Sequence, residues 1–220
     1  MIKAKKSPAF RTMFSLYHRR LMKRSFHQIY WRGHDGIGEG AAIFTPNHSS
    51  WWDSLILFQL DRHVLTQDLH AMMHEKGMKE YPFFRLIGGF SIDRSHPKEI
   101  VRSLNYAKEL LLEGKSVCLF PQGDEFHLEK RPLGFQSGVI YLMERCPEIP
   151  VIPLSFYYTF GHHQKPEAYL SAGAPVYLRD LDGDSRKSKN AHFEQLCTEQ
   201  LDQLKELVVA EQVERFTKLL

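Results

Sequence analysis

Short apolar runs alternate with stretches of helical spacing through most of this chain, and that alternation limits the fold more than any other feature. Ala41 to Thr45 reads as a buried strand, and Trp51 to Leu60 as the helix that follows it. His70 to His74 and Phe90 to Asp93 read as two more strands. Apolar residues at Ile100, Leu104, Ala107, Leu111 and Leu112 predict a helix over Glu99 to Glu113, which Gly114 stops. Ser116 to Phe120 is strand-like, Gly138 to Arg145 helical, and Val151 to Tyr158 and Ala168 to Tyr177 strand-like again. Such a succession predicts an α/β fold, with a largely parallel mixed sheet flanked by helices. Asp180 to Asn190 reads as a polar loop. Phe193, Leu196, Leu201, Leu204 and Val208 then mark a C-terminal helix that lays its apolar face on the core.

The chain has 220 residues, 43% hydrophobic and 25% charged, enough for one globular domain with a sizeable core. Its three cysteines, Cys118, Cys146 and Cys197, form no close pair, so a disulfide framework is not expected and a reducing, cytoplasmic setting is. No apolar run reaches the roughly 18 to 20 residues that span a bilayer, and the basic N-terminus lacks the apolar stretch of a signal peptide. The net charge of +3 is unevenly spread, because residues 1–34 hold nine Lys or Arg and no Asp or Glu. Within them Phe10, Met13, Phe14, Tyr17 and Leu21 stand at helical spacing among Lys3, Lys5, Lys6, Arg11, Arg19, Arg20, Lys23 and Arg24. Residues 1–32 are therefore expected to form a basic amphipathic helix on an anionic membrane surface, at the cytoplasmic face of the cell membrane, with residues 33–220 as the remaining domain. Each Lys or Arg near such a surface contributes about 1 kcal/mol. The alternative is that the apolar stripe packs on the protein's own core. A nucleic-acid arm is disfavoured, because the rest of the chain is net acidic.

His48 and Asp53 stand in the turn Asn47-His48-Ser49-Ser50-Trp51-Trp52-Asp53, just beyond the first strand. Ligands and chemistry gather at the carboxyl ends of strands in α/β folds. Histidine moves protons near neutral pH, and a carboxylate within reach holds one ring nitrogen protonated and leaves the other free as a base. Asn, Ser and Asp are also ordinary capping residues at a strand-to-helix turn, so this spacing alone does not decide.

Three further blocks follow: Gly88-Gly89-Phe90-Ser91-Ile92-Asp93-Arg94, Phe120-Pro121-Gln122-Gly123 and Val151-Ile152-Pro153-Leu154. In this order and at these separations the chain resembles the glycerolipid acyltransferase family, which includes the 1-acylglycerol-3-phosphate acyltransferases, from about residue 40 to about residue 155. The resemblance implies acyl transfer from a thioester, acyl-CoA or acyl carrier protein, to a lipid hydroxyl, with no other cofactor. It implies His48 as general base, Asp53 as its orienting partner, and Arg94 with the Pro121-Gln122-Gly123 turn bounding the acceptor site. A guanidinium at Arg94 would suit an acceptor phosphate. The default acceptor is a lysophospholipid.

The third block departs from the family's usual Phe-Pro-Glu-Gly-Thr-Arg. Here Gln122 replaces the carboxylate, and Asp124 and Glu125 stand where a threonine and an arginine are usual. Further on, Gln136 takes the place of a common lysine. Lys130 and Arg131 are the nearest cations that could compensate. These changes keep two alternatives open: an acceptor without phosphate, such as a glycosylated lipid or glycosylated carotenoid, and a catalytically silent membrane-surface binding protein. His70 with His74 and the adjacent His162-His163 lack companion ligands at recognisable spacing, so no metal is expected. Gly33, Gly36, Gly38 and Gly40 form no dinucleotide fingerprint and read as a loop.

Overall fold

Pro8, at the first turn, and the Ser7 hydroxyl, which accepts from Phe10 N at 3.3 Å, start helix α1 (Pro8–Ser25). The computed structural model describes residues 1–220. After α1 come β1 (Gln28–Arg32), β2 (Ile43–Pro46), α2 (Asp53–His63), β3 (Leu69–His74), α3 (Glu75–Glu80), β4 (Gly89–Ile92) and α4 (Pro97–Leu112). Then follow β5 (Ser116–Cys118), α5 (Gly138–Arg145), β6 (Val151–Thr159), β7 (Glu167–Ala172), α6 (Arg186–Val209) and β8 (Thr217–Lys218). All eight strands join one sheet in the order β4-β3-β5-β2-β6-β7-β1-β8. The first five in that order run parallel; β7 is antiparallel to β6, β1 parallel to β7, and β8 antiparallel to β1.

β2 and β5 are buried along their whole length, as central strands covered on both faces must be. Successive side chains alternate between the faces. Phe44 packs with Phe14 and Met22 of α1 and Leu55 to Leu60 of α2, whereas Ile43 packs with Leu104 and Leu111 of α4, Ile140 of α5 and Phe193 and Leu201 of α6. The Val151-Ile152-Pro153-Leu154 block pairs residue for residue with Ile43 to Pro46, so it builds the sheet's centre.

The N-terminal segment corrects the expected boundaries. Residues 1–32 are not one helix, nor a unit apart from the sheet. Phe26 turns extended as the helix's C-cap, and Gln28-Ile29-Tyr30-Trp31-Arg32 then runs as a strand between β7 and β8. Ile29, Tyr30 and Trp31 are all buried, and β-branched and aromatic residues favour a pleated setting. The expected single stripe also divides. Phe14, His18 and Met22 face inward, with Phe10 and Leu21 partly buried, whereas Met13, Leu16 and Tyr17 are exposed at 59%, 72% and 61%. Elsewhere, the strand expected over Ala168 to Tyr177 ends at Ala172, and α2 begins two residues later than the apolar spacing implies.

The inward face of α1 carries an ionisable group. His18 Nε2 lies 2.9 Å from the Leu55 carbonyl, and a carbonyl only accepts, so the ring donates there. Burial pushes His18 down to about 4, the Leu55 bond opposing this and His63 adding to it. Burial likewise takes His70 to about 4. At these two histidines the folded chain thus binds fewer protons than the unfolded one at mildly acidic pH. Their contribution to stability is complete above about pH 6.5 and drains as pH falls toward about 4. A shift of this size at one histidine amounts to roughly 3 kcal/mol once fully developed. The midpoint of urea unfolding is expected to drop between about pH 7 and pH 5, with a shallower drop in His18→Leu. Equal pH slopes for the two proteins would show that His18 is not the group responsible.

Candidate active site

β2 delivers the chain to the carboxyl edge at Pro46, and Asn47 fastens it there. The Asn47 side chain donates to Phe156 O at 3.0 Å and accepts from Phe156 N at 2.7 Å, joining this turn to β6. His48 follows, half-buried, with its ring stacked on Phe120 at 4.2 Å between centroids. Asp53 lies in the first turn of α2 with no exposed surface. Its Oδ2 accepts from His48 Nδ1 at 2.8 Å, Ser49 N at 2.7 Å and Ser50 N at 3.0 Å. Its Oδ1 accepts from the Tyr158 hydroxyl at 2.6 Å. Burial, reinforced by the adjacent Asp53 carboxylate, raises the Tyr158 phenol well above the usual tyrosine range, so it remains a donor.

These contacts settle the tautomer. An ionised carboxylate only accepts, so Nδ1 of His48 carries the proton and the Nε2 lone pair is left free. Capping explains the two serines only in part. Ser50 Oγ accepts from Trp52 N at 3.2 Å, whereas Ser49 Oγ is buried without a partner. Burial raises the thiols of Cys118 and Cys197, and Cys146 follows for the same reason, so none is primed as a nucleophile.

The turn after β5 closes over the other side of the histidine. Gln122 Oε1 accepts from His48 N at 2.6 Å, and Phe126 N donates to His48 O at 3.0 Å. Pro121 O accepts from Gln136 N at 2.8 Å, which brings the exposed Gln136 beside the turn. Gly123 has φ +79, and an added Cβ there would stand 3.1 to 3.3 Å from the Arg94 guanidinium. Arg94, just past β4, donates from Nη1 to Gly123 O at 2.6 Å and to Asp124 Oδ2 at 2.8 Å. Glu125 Oε1 lies 3.8 Å from His48 Nε2. His48, Asp53, Arg94, Pro121, Gln122 and Gly123 are thus brought to one edge, from three strands. Lys130 and Arg131 do not restore the missing charge: Lys130 lies over the Phe126 ring at 3.3 Å, and Arg131 binds Asp202. Sequence reasoning missed Tyr158 and the Phe120 ring. Spacing offers no signal for the first, since Tyr158 stands 105 residues from Asp53; the second was hidden in a run read as strand.

A carboxylate-oriented histidine thus stands at the carboxyl edge of the parallel part of a mixed sheet, where ligands gather in α/β folds. The chain belongs to the Acyltransferase family, which it matches over residues 7–157. It is 25% identical over 142 residues to a probable 1-acyl-sn-glycerol-3-phosphate acyltransferase of Mycoplasma pneumoniae, covering 63% of this chain and 52% of that protein. It is 28% identical over 149 residues to a putative 1-acyl-sn-glycerol-3-phosphate acyltransferase of Caenorhabditis elegans, covering 66% and 50%. The chain thus spans about half the length of these relatives. Its fold is similar to the crystal structure of the 1-acyl-sn-glycerophosphate acyltransferase from Thermotoga maritima, with a TM-score of 0.64 at 18% identity, covering 89% of this chain and 80% of that one.

Proposed function

We propose that the protein is an O-acyltransferase that moves a fatty acyl group from acyl-CoA or acyl carrier protein to a lipid hydroxyl. The 2.8 Å contact between His48 Nδ1 and the buried Asp53 carboxylate carries this reading, together with family membership. His48 Nε2 takes the proton of the acceptor hydroxyl as its oxygen adds to the thioester carbonyl. Asp53 stabilises the imidazolium that results. The tetrahedral intermediate expels the thiolate, and the proton held by His48 leaves with it. A catalytically silent protein would need Asp53 for the turn but would have no use for a half-buried histidine whose Nε2 is left free. His48→Ala is expected to lower thioester release by about 10²- to 10⁴-fold without loss of fold, and Asp53→Asn to be similarly severe. Wild-type turnover in purified His48→Ala would refute this mechanism.

The names of the two curated relatives point to 1-acyl-sn-glycerol-3-phosphate as acceptor, and Arg94 supports a phosphate site. A specific observation favours an acceptor without a phosphomonoester. Asp124 already pairs with Arg94, and Glu125 stands beside the catalytic nitrogen. At about 4 Å, each like charge costs a phosphate about 1 kcal/mol in water and about 4 kcal/mol where solvent is partly excluded. With one donor, wild type is expected to prefer a neutral hydroxylated lipid, such as a glycosylated one. Glu125→Arg with Gln136→Lys should raise activity on 1-acylglycerol-3-phosphate. A strong wild-type preference for that phosphate, abolished by Arg94→Ala, would return the acceptor to the lysophospholipid class.

No helix of the chain is long and apolar enough to cross a membrane. We propose peripheral docking on the cytoplasmic face through α1, whose exposed Met13, Leu16 and Tyr17 lie on one side among Arg19, Arg20, Lys23 and Arg24. Trp51, close to His48 in sequence, is also exposed and meets Trp52 edge-on. Cosedimentation with anionic vesicles is expected to weaken as salt rises and in the triple variant Met13→Ser, Leu16→Ser, Tyr17→Ser. Sedimentation equal to wild type would place the anchor elsewhere.

A further inference from the structure

Three ligand-bearing side chains meet away from His48, and acyl transfer uses none of them. His27 sits between α1 and β1, His163 in the loop between β6 and β7, and Glu167 at the start of β7. One ligand atom from each lies within 4.8 Å of the others. Neither the lone sequence position of His27 nor the His162-His163 pair announces this group; the sheet assembles it. Gln28 pairs with Glu167, and His27 N donates to Pro166 O at 2.8 Å, so strand register holds His27 beside the β7 carboxylate. Lys165 Nζ donates to Lys23 O at 2.9 Å, which fastens the loop carrying His163 to the end of α1.

The carboxylate is built as a ligand. The Glu167 side chain is only 8% exposed. Its Oε2 is taken up by the Tyr169 hydroxyl at 2.9 Å and covered by Gly161, where a Cβ would stand 2.8 Å away. Its Oε1 is turned to the histidines, 3.9 Å from His27 Nε2 and beyond hydrogen-bond range. A buried carboxylate facing two imidazoles without a full cation partner is costly unless a positive charge joins it. The His27 and His163 rings stack at 3.5 Å between centroids, which holds both beside the carboxylate; lone pairs lie in the ring planes, so one ring must turn out of the stack for both to reach one ion. An outer hydroxyl that orients a ligating carboxylate, as Tyr169 does, is a recurring part of metal sites.

We propose that His27, His163 and Glu167 bind a divalent transition metal of the zinc type. Two imidazoles and one carboxylate suit zinc, nickel or copper rather than magnesium or calcium, which prefer oxygen alone. In a tetrahedral site with metal–ligand bonds of about 2 Å, ligand atoms stand about 3.3 Å apart. The exposed His27 and His163 close the remaining gap by side-chain rotation. A fourth position is left for water. The ion's role is structural: it clips the β6–β7 loop to the exit of α1. That loop begins just past Thr159, the last residue of β6 and the neighbour of Tyr158, which holds Asp53.

The neighbouring His162 supplies an internal control, because it is turned to Glu211 at 2.9 Å instead. The full chain, stripped with chelator and titrated calorimetrically with zinc ion alone, is expected to bind one equivalent with a Kd at or below about 1 μM. His163→Ala and His27→Ala should each weaken this at least about tenfold, Tyr169→Phe about tenfold, and His162→Ala should leave it unchanged. Zinc should raise the Tm of wild type and not that of His163→Ala. Affinity weaker than about 10 μM in wild type, or binding that survives His163→Ala or is lost in His162→Ala, overturns the proposal. The acyl-transfer mechanism stands or falls separately, since the titration needs no substrate.

Discussion

The buried carboxylate of Asp53 organises the functional edge of this protein. An ion with no exposed surface is tolerated only where hydrogen bonds replace its water. Four donors do so here: His48 Nδ1, the Ser49 and Ser50 amides and the Tyr158 hydroxyl. The same position, in the first turn of α2, also places negative charge at the positive end of the helix dipole. One side chain therefore starts a helix, shapes the turn before it, fixes a histidine tautomer and draws β6 toward β2. Removing the side chain would disturb all four at once, whereas Asp53→Asn keeps one acceptor oxygen in place while it loses the charge, which makes it a cleaner probe than Asp53→Ala.

The turn after β5 is a second level of control, and it is electrostatic. Arg94 reads at first as a free cation awaiting an anionic ligand. Its contacts to Gly123 O and Asp124 make it also a strut that holds the turn against the end of β4. Gly123 permits this by its left-handed backbone and by leaving room for the guanidinium. Glu125 thus sets negative charge beside His48 Nε2 while the shape of the turn is kept by other residues.

The sequence made the local features legible and the remote ones not. The helix over Gly138 to Arg145 and the strand from Val151 were delimited by their apolar spacing and their flanking residues. The His48–Asp53 pair was readable because both members lie within one turn. The Asn47 clasp on Phe156 and the Tyr158 bond to Asp53 cross more than a hundred residues, and nothing in either neighbourhood encodes the other. α1 shows a different limit. Its spacing revealed an apolar stripe but not which half faced inward, because buried His18 shares the inner face and does not count as apolar. β1 was hidden by its company: five residues of strand character stand at the end of a basic helical segment, and only the partners β7 and β8 reveal them.

The position of β1 governs how the molecule must assemble. Its neighbours in the sheet are β7 and β8, which emerge more than a hundred residues later, and Leu219 N closes onto Ile29 O. Helix α1 finds α2 early, but the strand after it has no sheet partners until nearly the whole chain is available. Contacts between such distant segments are slow to form, and apolar strand edges stay uncovered meanwhile. Ile29, Tyr30 and Trp31, buried in the finished sheet, would stay uncovered until those late strands arrive.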